Sequence, residues 1–540
     1  MALKDVIPLV QTCGNDGRET VDLNWLYPEC IPSSTPLEKN VLTYMSRYLA
    51  GIDARLAVVE SDYVDRDYLE DYTRYYAKCL SDYPRKCYRI HFFSVAVTRE
   101  CIEKVICPAD ASMGDESTGV EALGKYLGFI VIRPLPKTVV GRTCLVPYST
   151  DGTGRYYSAL RQVDVSFFGL DFMLKCMPFQ EQDSSTAACA TCSLWAAFQV
   201  TSELFCHKTY FPSDITSLAV EHGLSETRKF PNDGLYLTDM IYAIRRVGLD
   251  PICVDVGMEQ KHTSNDDVDV ASDDEIDAKE NLSILLGTVY AYLGAGIPII
   301  LTGVFERDSG EKYGDGGHAV TINGYHLDGN VNERSSWLIS DEIDKIYVHD
   351  DQVGPNARIS LDRGDVLRWQ TDWRDKDENL YLLPITLMIP VYNKIRVSYE
   401  EVRECAAPVS VGLNAAIEML KEAKRLPEDF EETLKWDITL QKGKSYKQSV
   451  RVDSRLERTR KLKCMNASYS KYVWVLTVFV KKQKEISFII DATDSGQGLR
   501  AIDVIIYSQT LLEACDLLFL VQQEQLKGNP LMSKMEELGV

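Results

Sequence analysis

The chain has 540 residues, 45% of them hydrophobic, and a formal net charge of -21. That length supports several hydrophobic cores. So acidic a chain repels nucleic-acid phosphates, and no apolar run is long enough to span a bilayer, the stretch from Gly294 to Phe305 being apolar but short, so neither nucleic acid nor membrane is an expected partner.

The 15 cysteines are odd in number and scattered over the whole chain. The start, Met-Ala-Leu-Lys-Asp, carries no basic-then-apolar leader. Together these features predict a cytoplasmic protein with free thiols.

Residues 1–160 read as an N-terminal α/β or α+β region. Ala54 to Val59 is a predicted strand. Asp65 is placed to cap a helix through Cys79, with Tyr68, Leu69, Tyr72, Tyr75, Tyr76 and Cys79 at helical spacings. Tyr88 to Val97 and Tyr126 to Ile132 read as further strands, the second ended by Pro134 and Pro136. Asp110 to Thr118 is a polar loop.

Val163, Val165 and Phe167 alternate as a strand. This leads into the stretch Gln182 to Val200, where small and polar residues precede Cys189 and an apolar run follows. Leu194, Trp195 and Phe198 recur at helical spacing, which predicts a buried helix opening at Cys189. A thiol at a helix start faces the positive end of the dipole and unpaired N–H groups, an environment that favours the reactive thiolate.

After a polar loop from Asp214 to Arg228 come a helix from Thr238 to Val247, closed by Gly248, and a strand from Cys253 to Val256. Lys261 to Glu280 is acid-rich and reads as a solvated insertion, since it lacks the glycine and ligand periodicity of a calcium loop. A helix from Leu282 to Leu293, a strand from Ile297 to Phe305 and a glycine-rich turn from Arg307 to Gly316 follow. Strands from His318 to Tyr325 and Lys345 to Asp350 then complete an antiparallel meander against the Cys189 helix.

Beyond Val397 the pattern predicts a helix from Tyr399 to Arg425 and a β-hairpin, Tyr472 to Val480 with Glu485 to Ile490, around a lysine-rich turn. A polar loop from Asp491 to Gly498 precedes a closing helix from Tyr507 to Leu526. The basic tract from Arg451 to Lys463 reads as a charged helix face. The division is thus 1–160, a core over 161–397 containing the acidic insertion 261–280, and a C-terminal α+β region over 398–540.

Thiol chemistry needs a base, a group that orients the base, and donors for an oxyanion. His318, one of only 7 histidines, starts a strand just after Gly316 and Gly317. Asp350 ends the next strand, where it can bond the far ring nitrogen of His318. Gln182 precedes Cys189 in a position to help bind the oxyanion alongside the Cys189 N–H. The ordered set Gln182, Cys189 with Ala190 to Leu194, His318-Ala319-Val320 through Gly324-Tyr325, and Val348-His349-Asp350 resembles the papain-like cysteine peptidase superfamily. It is closest to the branch of bacteriocin-processing, double-glycine-leader peptidases, over roughly residues 165–395.

The resemblance implies an α+β fold with a papain-like core, a Cys189–His318–Asp350 triad assisted by Gln182, no metal and no cofactor, and a protein or peptide substrate. The terminal regions are candidates for gating or for binding a protein partner. Ala190 stands where the family usually has glycine, and Cys192 where it often has Thr or Ala. Cys192 lies inside the first helical turn, which makes Cys189 the preferred nucleophile. The same triad order serves acyl transfer, deamidation and transglutamination, and an inactive papain-like interaction protein is the reading from another class. A redox pair or a zinc site recruiting Cys176, Cys206 or His207 is disfavoured by the absence of the usual flanking residues and of a second tight pair.

Overall fold

The computed structural model describes residues 2–13, 19–26, 30, 40–107, 121–136, 138–183, 185–223, 228–232, 234–257, 271–328, 336–361, 368–375, 378–426, 434–493, 498–507, 511–521 and 526–538. It is an α+β protein whose sheets are antiparallel wherever their pairing registers are defined. The chain divides into two compact units. One comprises Met1–Pro251, Pro298–Gly324 and Lys345–Pro390, and the other Ile252–Ile297, Tyr325–Asp344 and Val391–Val540.

The first unit opens with a five-stranded sheet in the order Ala2–Pro8, Leu56–Tyr63, Cys87–Phe93, Tyr126–Ile132, Val140–Leu145. Every residue of Tyr126–Ile132 is buried, which is why that strand reads as an unbroken apolar run. Within it Gly128 has φ 117°, and a Cβ there would strike the Cys144 carbonyl, so only glycine lets the neighbouring backbone approach. Asp65 caps the helix Arg66–Arg74 by accepting from the Asp67 and Tyr68 amides. That helix stops at Arg74, and Tyr76–Lys78 continues as a short 3-10 turn.

The same unit contains a second sheet. Glu378–Tyr392, Ile299–Glu306, Lys312–Leu327, Ile343–Asp350, Gly354–Leu361 and Trp369–Asp375 lie side by side in that order. Trp369–Asp375 also pairs with Glu378–Tyr392, so these strands close on themselves as a barrel. The helix Cys189–Phe205 packs against Ile299–Glu306, with Ala190 through Ser202 all buried.

Several expectations are corrected. The polar loop from Asp214 to Arg228 is largely a helix, Pro212–Val220. Proline occupies its first turn and Ile215 and Ala219 form its buried face, while 224–227 lie outside the described residues. The turn from Arg307 to Gly316 is shorter, because the His318 strand already begins at Lys312. The predicted strand Val163 to Phe167 is half of a hairpin, Arg161–Phe167 with Leu170–Cys176. The loop from Asp110 to Thr118 lies outside the described residues, as do 258–270 of the acidic insertion. The rest of that insertion belongs to the helix Ala271–Gly294.

In the second unit a four-stranded sheet runs in the order Lys435–Lys442, Tyr472–Val480, Gln483–Asp491, Ala501–Ile506. Its central hairpin turns at Lys481 and Lys482, both with positive φ, the twist that two-residue hairpin loops favour. Helices Gly443–Val452 and Arg458–Asn466 cover it through Tyr446, Val450 and Cys464, with Leu456 added from their connection. The basic tract from Arg451 to Lys463 therefore spans a helix end and a second helix, and Arg460 from it binds Asp503. Ser398 and Glu401 form a capping box at the start of the helix Tyr399–Glu422. The closing helix is shorter than expected, Leu512–Val521, and a separate helix Pro530–Leu538 follows Gly528 and Asn529. Among the described residues no helix is long and apolar enough to cross a membrane.

Candidate active site

Cys189 is the first residue of its helix, after Ala188 in extended conformation (φ -70°, ψ 174°). No side chain caps this end and no acid lies in the first turn. The first amides of the helix are thus free of competing anionic side chains on their own turn and suit an incoming negative charge. Cys189 is half-buried, whereas Cys192 is buried. Burial, followed by the negative charge of Asp351, pushes the Cys192 thiol well above its ordinary range.

The helix is tied to the histidine strand by two hydrogen bonds. Ser193 Oγ donates to the Ala319 carbonyl (2.7 Å), and Thr321 Oγ1 donates to the Ser193 carbonyl (2.9 Å). Ser193 sits one turn after Cys189 and Ala319 follows His318, so the pair of bonds fixes thiol and imidazole relative to each other.

His318 is 6% exposed. Its Nε2 bonds Asp350 Oδ1 at 3.1 Å, and Cys189 is near enough to the same ring to favour its charged form. With Nε2 engaged by Asp350, Nδ1 is the ring nitrogen left for the thiol. Burial pushes the imidazolium toward losing its proton. The Asp350 carboxylate, with help from Cys189, more than offsets this, and the His318 pKa stands well above the ordinary histidine range.

Asp350 is fixed from three sides, by His318, by the Gln352 amide on Oδ1 (3.0 Å) and by Trp373 Nε1–H on Oδ2 (2.7 Å). The Trp373 ring lies edge-on to His318 (centroids 5.3 Å) and packs on Phe305 (4.6 Å), which keeps water from the His–Asp bond. The next residue, Asp351, is 3% exposed, with Oδ1 3.9 Å from His318 Nε2. Neither of its oxygens has a hydrogen-bond partner among the described residues. Burial pushes its carboxyl up to about 7, opposed by His318 and reinforced by Asp350.

The loop before Cys189 is rigidly held. Phe179 pairs with Thr143 as an added rung on the N-terminal sheet, and the Glu181 side chain accepts the Val140 amide (2.9 Å). Buried Asp183 accepts from Tyr76 Oη, from Thr186 Oγ1 (2.9 Å) and from the Ser185 amide (3.1 Å). Arg133, buried beside Asp183 and Glu181, donates to the Glu181 carbonyl (3.2 Å). Gln182 is half-buried in this loop. Gln180, fully buried two residues earlier, reaches the helix start, where its Nε2 lies 3.9 Å from Cys192 Sγ.

The structure therefore brings Cys189, His318 and Asp350 together and places Gln182 in the adjoining loop. Sequence reasoning missed Gln180, Ser193, Trp373 and Asp351. Ser193 alone left a signal, a hydroxyl one turn from Cys189 and directly before the apolar run Leu194 to Phe198. The zinc ligands considered for the C-x-x-C pair lie elsewhere. Cys176 is a free thiol packed with Cys144 in the core of the N-terminal sheet, and Cys206 and His207 follow the far end of a 17-residue helix, about 25 Å away. His349 is buried between Asn356 N–H and the Met177 carbonyl, and burial lowers its pKa to about 4, so it is a neutral structural strut. No protein-family model matches this chain, and no curated protein matches it significantly.

Proposed function

We propose that the protein is a papain-like thiol hydrolase acting on a peptide or isopeptide bond. The observation that carries this reading is one buried imidazole, His318, shared between a half-exposed thiol at a helix start and a fully engaged carboxylate. Cys189 Sγ attacks the carbonyl carbon while His318 holds the thiol proton, and Asp350 balances the imidazolium. The oxyanion is received by the Cys189 N–H at the helix start and by the Gln182 amide. His318 then gives its proton to the leaving amine. It next takes a proton from water, whose oxygen attacks the thioester and frees the acid and the thiol.

The test is peptide mapping after brief treatment with limiting iodoacetamide at neutral pH, for the wild type and His318→Ala. Rapid labelling confined to Cys189 and lost in His318→Ala supports the assignment and justifies a search with peptide libraries. Slow labelling scattered over many cysteines and indifferent to His318 refutes it.

A further inference from the structure

We propose that His318, Asp350 and Asp351 form a binding site for a divalent transition ion such as Zn²⁺, and that filling it switches the thiol site off. Their ligand atoms lie within 4.8 Å of one another and all three residues are buried. Tetrahedral zinc with bonds of about 2.0 Å holds its ligand atoms roughly 3.3 Å apart. The distances from His318 Nε2, 3.1 Å to Asp350 Oδ1 and 3.9 Å to Asp351 Oδ1, bracket that spacing.

Asp351 is the feature that the thiol mechanism does not explain. It is a carboxyl sealed from solvent, aimed at the histidine, with both oxygens unpartnered among the described residues. A buried polar group left unpaired costs free energy, and a metal–oxygen bond removes that cost. The charges also match. Two carboxylates neutralise a divalent cation, and the imidazole ligand is neutral, so the filled site buries no net charge. Binding displaces the proton between His318 and Asp350 to solvent.

The switch rests on the thiol-hydrolase reading above. A metal on Nε2 leaves the ring's single proton on Nδ1, the nitrogen that Asp350 does not engage and the one left for the thiol. The ring then has no free lone pair to accept the thiol proton, so the thiolate–imidazolium pair no longer forms. The three ligand groups are one imidazole and two carboxylates, so the site needs no thiolate ligand. This separates it from ordinary capture of metal by a cysteine.

The test uses the full chain, stripped with a chelator and titrated with ZnCl₂ by calorimetry and with Co²⁺ by visible absorption. Asp351→Asn and His318→Gln should each weaken the tightest site at least about tenfold, while Cys189→Ser leaves it intact. Two variants guard against a folding defect in either. Bound Co²⁺ should give ligand-field bands without a thiolate charge-transfer band. Tight binding that survives Asp351→Asn, or disappears in Cys189→Ser, overturns the site. Zn²⁺ should also slow alkylation of Cys189 in the wild type and not in Asp351→Asn. Zinc held through Asp351 with alkylation undisturbed upholds the site and overturns the switch. Slow alkylation of the metal-free protein refutes the hydrolase reading and, with it, the switch, leaving the titrations to decide the site.

Discussion

Replacing Trp373 by Phe isolates one hydrogen bond in the candidate site. The phenyl ring keeps the contacts with Phe305 and the edge toward His318, whose centroids lie 4.6 and 5.3 Å from the indole. What disappears is the 2.7 Å bond from Nε1–H to Asp350 Oδ2, between residues 9% and 3% exposed. Hydrogen bonds to charged groups contribute about 1.5–3 kcal/mol. Asp350 keeps the Gln352 amide and His318 on its other oxygen, so the carboxylate is not stripped of donors and the loss should fall near 2 kcal/mol. Urea unfolding followed by far-ultraviolet circular dichroism measures it. In an Asp350→Asn background the same substitution should cost at least about 1 kcal/mol less, because the charged acceptor is already gone. Fast alkylation of Cys189 should slow several-fold in Trp373→Phe, as the loosened carboxylate no longer fixes the ring. Additive stability losses, with coupling under about 0.5 kcal/mol, would refute the claim that the indole N–H holds Asp350.

Ser193→Ala removes the hydroxyl bonded to the Ala319 carbonyl, and should destabilise by about 1 kcal/mol and slow Cys189 alkylation while leaving the helix formed. Cys192→Ala should leave the fast-labelling cysteine in place, whereas Cys189→Ala should remove it, as read by peptide mapping. His91 sits between Glu60 and Tyr126 with its pKa lowered to about 4 by burial, opposed by Glu60. The unfolded chain takes up the proton first as pH falls below about 6.5, so stability should be lost between pH 6.5 and 4, by about 3 kcal/mol in all. His91→Gln should flatten that part of a stability-versus-pH curve. Asp71 is pushed up to about 8 by burial and by Asp183. The folded state keeps a proton that the unfolded state releases, so this carboxyl's contribution is complete below about pH 4 and is lost as pH rises to 8. Asp71→Asn should therefore gain stability relative to wild type as pH is raised across that window.

Elements whose local pattern agrees with their burial were legible in the sequence. Tyr126–Ile132 is a strand over the predicted residues, because an unbroken apolar run fits a strand buried along its whole length. The helix Leu237–Val247 ends where Gly248 takes φ 93°, a conformation glycine adopts without strain. The helix Pro212–Val220 was hidden because Ser213, Thr216 and Ser217 look like loop residues, yet all three are buried. Thr216 spends its hydroxyl on the distant Thr186 carbonyl and Ser217 on the Ser213 carbonyl one turn back in the same helix, uses of polarity that composition does not reveal.

The same distinction divides the candidate site. Cys189 opens its helix and Asp350 ends its strand, where turn chemistry and periodicity mark them, while His318 lies inside Lys312–Leu327 and was marked by the Gly316-Gly317 pair before it. Trp373 becomes a neighbour of His318 through the pairing of Trp369–Asp375 with Glu378–Tyr392 that closes the barrel, a long-range pairing with no local signature, whereas Asp351 arrives with Asp350 at the end of the strand beside Lys312–Leu327. In sequence, Asp350-Asp351-Gln352 is a turn, where two carboxylates would stand in water. Packing buries both and gives them opposite fates, one with donors on both oxygens and one with none among the described residues. That asymmetry comes from tertiary closure, and it makes Asp350 suited to orienting a base and Asp351 suited to a cation.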